Sequence, residues 1–327
     1  MNIEGRSVNP IDMQNENKPD PIILENVSKQ FGKFTAVNNI SFSVRRGEIF
    51  GFLGPNGSGK TTTIRMALGL LPPSAGNIKI LGFNITDHPE KIRQRIGYMS
   101  QRFSLYNDLT VIENLRFYGR AYGLSNQDLS ERIQYTVNMA GLVDREHTKT
   151  KDLSGGWRQR LALGASILHH PEIIFLDEPT AGVDPISRRI FWDLLYSLVA
   201  EGITIFVTTH YMDEAERCHR LAFIQHGQFI AMGTPKEIID SMKIGNVLEL
   251  SPSDPIAALQ SLRALQQNGE LQVEEMALYG SMIHVLAKDI NQQSAQIHEA
   301  LKTAGIQPGE QRIISPSLED VFIACMR

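Results

Sequence analysis

Residues 54 to 61 read Gly-Pro-Asn-Gly-Ser-Gly-Lys-Thr, the pattern G-x-x-x-x-G-K-T, between an apolar run from Glu48 to Leu53 and a helix-spaced segment from Thr61 to Leu71. A strand, a glycine-rich turn and a helix in that order leave few folds open. Glycines let successive backbone N–H groups turn inward around an anion, and the helix start behind them adds positive potential. Gly54, Pro55, Asn56, Gly57, Ser58, Gly59, Lys60, Thr61 and Thr62 are therefore the candidate phosphate-binding set. Lys60 is expected to reach the β and γ oxygens of a nucleotide and Thr61 to ligate Mg2+.

Farther on, Ile173-Ile174-Phe175-Leu176-Asp177-Glu178 is an apolar strand ending in two carboxylates. Ligands of a parallel sheet gather at the carboxyl ends of its strands, so Asp177 is placed to hold Mg2+. Glu178 can polarise an attacking water, because phosphoryl transfer asks mainly for positioning and electrostatics. A second apolar run, Ile203 to Val207, is too short for a helix and suits the same buried sheet. Ser154-Gly155-Gly156, after Leu153 and before Trp157-Arg158-Gln159-Arg160, would in isolation read as a loop with a helix cap.

Taken with the phosphate loop and the carboxylate pair, Leu153 to Arg160 resembles the signature motif of the ATP-binding cassette family. The resemblance covers about Pro21 to Gly245 and implies a P-loop NTPase fold of α/β class. A parallel-sheet core would carry an antiparallel β subdomain and an inserted helical subdomain over about 102–155. It implies ATP as ligand with Mg2+, and it implies that Ser154, Gly155 and Gly156 cap the γ-phosphate of ATP held by a second copy. By the same resemblance, Gln101 senses Mg2+ and γ-phosphate, Phe31 stacks on adenine, and Ala181 to Asp184 forms an intersubunit loop. His210, after Thr208-Thr209, becomes the switch histidine on the γ-phosphate. Three positions depart from the usual pattern: Trp157 replaces a smaller or polar residue, Phe31 a tyrosine, and Ser100 a proline.

Further segments, Pro179 to Pro185, Thr208 to Glu216, Gly233-Thr234-Pro235 and Ser317 to Phe322, are similar to those of bacterial drug-exporter-like ATPases. The implied machine is an ATPase at the cytoplasmic face of the cell membrane, paired with a second ATP-binding subunit and an integral membrane permease. The alternative within the family is a soluble ATPase acting on ribosomes or DNA. A single phosphate loop and the lack of sustained heptads weigh against it.

Bulk composition agrees with this picture. The chain has 327 residues, 42% of them hydrophobic, enough for more than one core. Its formal charge of -4 gives no field that would gather nucleic acid. No stretch approaches the roughly 20 apolar residues of a membrane span, so contact with the membrane is expected only through the partner. Two distant cysteines, Cys218 and Cys325, read as ordinary thiols. Residues 1–20 form a polar tail, 21–245 the nucleotide-binding domain, and 246–327 a small α+β domain of regulatory or dimerising role. The β-α-β-β-α-β pattern of that last domain predicts a ferredoxin-like fold closed by a helix from Leu318.

Overall fold

The computed structural model describes residues 19–101, 104–242 and 245–325. The expected N-terminal tail falls outside these residues except for its last two positions. The chain divides into two compact units, Met1–Ile230 and Ala231–Arg327.

In the first unit, strands β1 (Ile22–Phe31) and β2 (Phe34–Val44) form a hairpin, and β3 (Ile49–Leu53) runs through the glycine loop into helix α1 (Lys60–Ala67). α1 ends earlier than its apolar spacing suggests. The amides of Leu70 and Leu71 fold back onto the Arg65 carbonyl and close the last turn before the proline pair is reached. Strands β4 (Ala75–Ile80) and β5 (Phe83–Asn84) complete an antiparallel sheet of order β2-β1-β4-β5.

Helix α2 (Pro89–Arg93) leads to β6 (Ile96–Met99), after which come α3 (Val111–Ala121), α4 (Asn126–Met139) and α5 (Gly155–Ile167). Thr110 and Glu113 cap α3 reciprocally, which sets its start. Val111, Leu115, Leu129, Ile133, Val137, Leu161, Ala165 and Leu168 form a separate helical core. The helical layer thus includes α5 and reaches beyond the segment expected near 102–155.

The remaining elements that begin in this unit are β7 (Ile173–Asp177), α6 (Pro185–Ala200), β8 (Thr204–Thr209), the short α7 (Met212–Ala215), β9 (Arg220–Gln225) and β10 (Gln228–Gly233). The six-stranded sheet has the order β10-β9-β3-β8-β7-β6, in which β9, β3, β8, β7 and β6 run parallel to one another. Every residue of β3, β7 and β8 is buried, which is why their sequences read as unbroken runs instead of alternating. Phe42 fastens the antiparallel sheet to this one: its ring lies 5.4 Å from Phe50, 5.8 Å from Phe52 and 6.0 Å from Phe206.

Register decides where the chemistry lies. Leu53 is level with Thr209 and Asp177 with Thr208. The glycine loop, the carboxylate pair and His210 therefore leave the sheet side by side at its carboxyl edge.

In the second unit, α8 (Pro235–Met242) precedes β11 (Asn246–Leu250), α9 (Pro255–Gln267), β12 (Glu275–Tyr279), β13 (Met282–Ala287), α10 (Ile290–Thr303), β14 (Gln311–Ile314) and α11 (Leu318–Cys325). The sheet order β12-β13-β11-β14, antiparallel throughout, is the ferredoxin-like arrangement. Leu248, Leu250, Ile283 and Val285 pack with Leu259, Leu262, Ile297 and Leu301 of α9 and α10. The compact division after Ile230 lies earlier than the change of pattern near 245, because α8 packs against α11.

Phe206 is buried against Phe42, Phe50, Phe52 and Phe175. Phe206→Ala is expected to destabilise the first unit by about 3–5 kcal/mol through the cavity it leaves. Both tryptophans, Trp157 and Trp192, lie in that unit, so a urea titration followed by their fluorescence reads the loss as a lower midpoint.

Candidate functional site

The glycine loop is shaped by contacts on both sides. Gly59, at φ 109°, caps α1 in the left-handed region, and a Cβ there would stand 2.5 Å from the Ala36 carbonyl oxygen. No other residue type fits. Lys60 is 4% exposed, and its ammonium donates to the carbonyls of Gly54 at 2.8 Å and Pro55 at 3.2 Å. The Ser58 amide donates to Pro55 at 3.2 Å, and the Ser58 carbonyl accepts from Gly227 at 3.1 Å, so the turn is tied at both ends.

Beside it, Asp177 accepts from Thr208 Oγ1 at 2.8 Å and from Thr61 Oγ1 at 3.2 Å. Glu178, one residue past the strand, has φ 46°, a conformation that costs a non-glycine residue about 1–2 kcal/mol. Its amide donates to Thr208 O at 3.1 Å and to Thr208 Oγ1 at 3.0 Å, and these bonds help hold the unfavourable turn.

That turn aims the Glu178 carboxylate back over the phosphate loop. Lys60 Nζ lies 3.1 Å from Oε1, Gln101 Nε2 donates to Oε2 at 2.9 Å, and His210 Nδ1 lies 3.4 Å from Oε2. An ammonium, an amide and an imidazole thus converge on one point at the sheet edge, where they favour negative charge. Lys60, Thr61, Gln101, Asp177, Glu178 and His210, far apart in sequence, are brought together.

An open cleft of about 380 Å³ extends from this point past Asn56, Gly57 and Thr62 to two exposed rings, Phe31 and Phe34. The two residues are paired in register across the β1–β2 turn. Sequence reasoning found Phe31 and missed Phe34; the sign was there in Phe31-Gly32-Lys33-Phe34, an aromatic on either side of a tight turn. Lys29 Nζ sits 5.3 Å over the Phe31 ring.

Ser154, Gly155, Gly156 and Asp184 are not among the residues that line this cleft. Ser154 is exposed at the N-terminal cap of α5 and makes no capping bond, and the space beside Gly155 is open. Gly156 is different, because a Cβ there would stand 2.3 Å from Ser187 Oγ, so α5 and α6 meet without room for a methyl group. Asp184 is exposed and caps α6 by accepting from the Ser187 amide at 2.9 Å. That bond, with a second from the Ser187 hydroxyl, holds its carboxyl below the usual range. Trp157 turns into the helical layer, where Arg160 and Arg145 lie 3.7 Å and 4.4 Å from its ring.

Comparison with known proteins identifies the family. The profile of a family described as ABC transporter matches residues 37–181. The Nod factor export ATP-binding protein I of Ralstonia nicotianae is 39% identical over 307 residues, covering 93% of each chain. The chain belongs to the ABC transporter family. It is an ATP-binding cassette.

A probable multidrug ABC transporter ATP-binding protein of Escherichia coli, YbhF, is 47% identical over 225 residues. That match takes in 68% of this cassette and 39% of the longer relative, so the chain spans well under half of that protein's length. Among solved structures, CbiO1 from Clostridium perfringens, part of the transporter complex CbiONQ, superposes with a TM-score of 0.63 at 28% identity, covering 68% of this chain and 91% of that one. The cassette MJ0796, a dimer in a post-hydrolysis state with ADP and Pi, gives 0.59 at 29% identity over 65% and 98%.

Both rings are exposed at the cleft, and a flat base stacked on them is the expectation to test. Stacked aromatic pairs contribute about 0.5–1.5 kcal/mol beyond buried area. Phe31→Ala and Phe34→Ala are each expected to weaken ATP binding about two- to tenfold in a fluorescent-nucleotide titration, without moving the urea midpoint. Unchanged affinity in both would remove the stacking role.

Proposed function

We propose that this cassette hydrolyses ATP as one half of a head-to-tail pair and so powers export through a separate membrane-spanning subunit. The observation that carries the reading is the convergence of Lys60, Gln101 and His210 on Glu178, beside the glycine loop. Within it, the loop amides and Lys60 hold the β- and γ-phosphates. Gln101 and His210 donate hydrogen bonds toward the γ-phosphate, and Glu178 accepts a proton from the attacking water at its carboxylate.

Mg2+ fits the donors present. Asp177 Oδ1 and Thr61 Oγ1, 3.2 Å apart at the strand end, are a hard carboxylate and a hydroxyl, and Gln101 stands close by on Glu178. Among the described residues no group of three or more His, Cys, Asp or Glu forms a cage for a metal. A hydrated ion held by one carboxylate, a hydroxyl and the phosphates of its own substrate needs none. When bound, Mg2+ neutralises phosphate charge.

Pairing is supported by Ser154 to Gly156. Their exposed helix start is an anion-binding surface with nothing of its own chain against the open side of Gly155. In a two-fold pair each copy lends this surface to the ATP of the other, as does Asp184 with its loop. ATP then favours closure because it touches more in the closed pair than in the open one.

The named relatives are export and multidrug ATP-binding proteins, and they support export as the direction and a permease as partner. Among the described residues no helix is long and apolar enough to cross a membrane. We place the cassette at the cytoplasmic face, held there by its partner. The second unit is assigned to regulation or to holding the pair together.

Glu178→Gln is expected to lower kcat at least a hundredfold while ATP still brings two chains together. Light scattering with ATP checks this. A variant that binds ATP and stays monomeric would count against the pairing, and wild-type turnover in it would count against the role of Glu178.

A further inference from the structure

Glu214 lies on α7, has no exposed surface, and takes no part in the chemistry described so far. A carboxylate so deep in the protein must be satisfied by its neighbours. Its Oε2 accepts from the Thr209 hydroxyl at 2.6 Å, its Oε1 accepts from the Thr180 hydroxyl, and Arg188 Nε lies 3.5 Å from Oε1.

Those partners sit at telling places. Thr209 immediately precedes His210, and its hydroxyl also accepts from the Tyr211 amide at 3.0 Å, so it shapes the backbone on both sides of the histidine. Thr180 follows Glu178 by two residues and opens the loop from Ala181 to Asp184; the Val183 amide donates to its carbonyl at 3.2 Å. Arg188 belongs to α6, the helix that Asp184 caps, and its guanidinium also bonds Asp213 at 3.1 Å. Just before Thr180, the Pro179 carbonyl accepts from Gln159 of α5, the helix that begins behind Ser154.

Regular pairing between β7 and β8 ends at Asp177 and Thr208, and Glu178 then turns away with its positive φ. Past that point Glu214 bridges the two segments from below. Thr180 and Thr209 are both 1% exposed, so water does not compete for either hydroxyl.

We propose that Glu214 is a positioning residue that clasps the segment after Glu178 to the segment before His210, and thereby ties the 181–184 loop to the histidine. The inference rests on the assignment of Glu178 and His210 to the γ-phosphate. Through this clasp a shift of the loop on pairing moves His210 relative to Glu178, so turnover follows the state of the loop. Glutamine in its place offers one acceptor oxygen instead of two and no charge for Arg188, and one threonine hydroxyl must reverse its bond to accept from the new N–H group. The clasp then keeps its volume but loses its charge and the hydrogen-bond polarity of one arm.

The test is steady-state ATP hydrolysis by the full chain. Glu214→Gln is expected to lower kcat at least tenfold with KM for ATP within twofold and the melting temperature nearly unchanged; Glu214→Asp, which keeps both oxygens, should retain more activity than Glu214→Gln. Thr180→Val and Thr209→Val approach the clasp from the other side. Each should lower kcat, and the double variant should be no worse than the more damaged single, because both hydroxyls act through one carboxylate. Wild-type kcat in Glu214→Gln, or losses in the two threonine variants that multiply independently, would overturn the clasp. If Glu214→Gln does not fold, the threonine pair decides alone by the same criterion. Full turnover in Glu178→Gln would instead sink the catalytic assignment underneath, which separates the two failures.

Discussion

Side-by-side pairing of three buried strands is the constraint on which the molecule depends. β3, β7 and β8 are covered on both faces, and their hydrogen-bond register places Leu53, Asp177 and Thr209 at one edge. A slip of one residue in a strand would turn its side chains to the opposite face. The phenylalanine cluster around Phe42 and Phe206 helps hold that register, since rings of this size fill the layer between two sheets in only one arrangement. The site is thus a product of packing some distance from any nucleotide.

Upon this frame the electrostatics are local and dense. Lys60 and Glu178 are both nearly buried, so their attraction is little screened by solvent and salt. The same burial makes each group costly without a partner, which explains why amide, imidazole and ammonium gather on a single carboxylate. The unfavourable backbone at Glu178 belongs to the same design: it points the side chain where an ordinary turn would not.

Much of this was legible in the sequence, because the residues that converge at the sheet edge are constrained locally: a glycine loop between strand and helix, carboxylates after an apolar run, a histidine after another. The ferredoxin-like order of the second unit was legible for a similar reason, since its periods of two and 3.6 alternate cleanly. What could not be read depends on contacts between distant segments. Phe34 shares the cleft only because the hairpin register sets it opposite Phe31. Trp157, an oddity beside the signature glycines, turns out to lie against two arginines, Arg145 and Arg160. Glu214 looked like any acidic residue on a short helix, and its burial between Thr180 and Thr209 is visible only in three dimensions.

The meeting of Gly156 with Ser187 has a mechanical consequence. Where two helices touch with no spare volume between their first turns, neither can tilt inward or slide past the other without a steric clash. The glycine cap at the head of one and the aspartate-capped loop at the head of the other therefore advance and retreat together, as the two edges of a single stiff jaw.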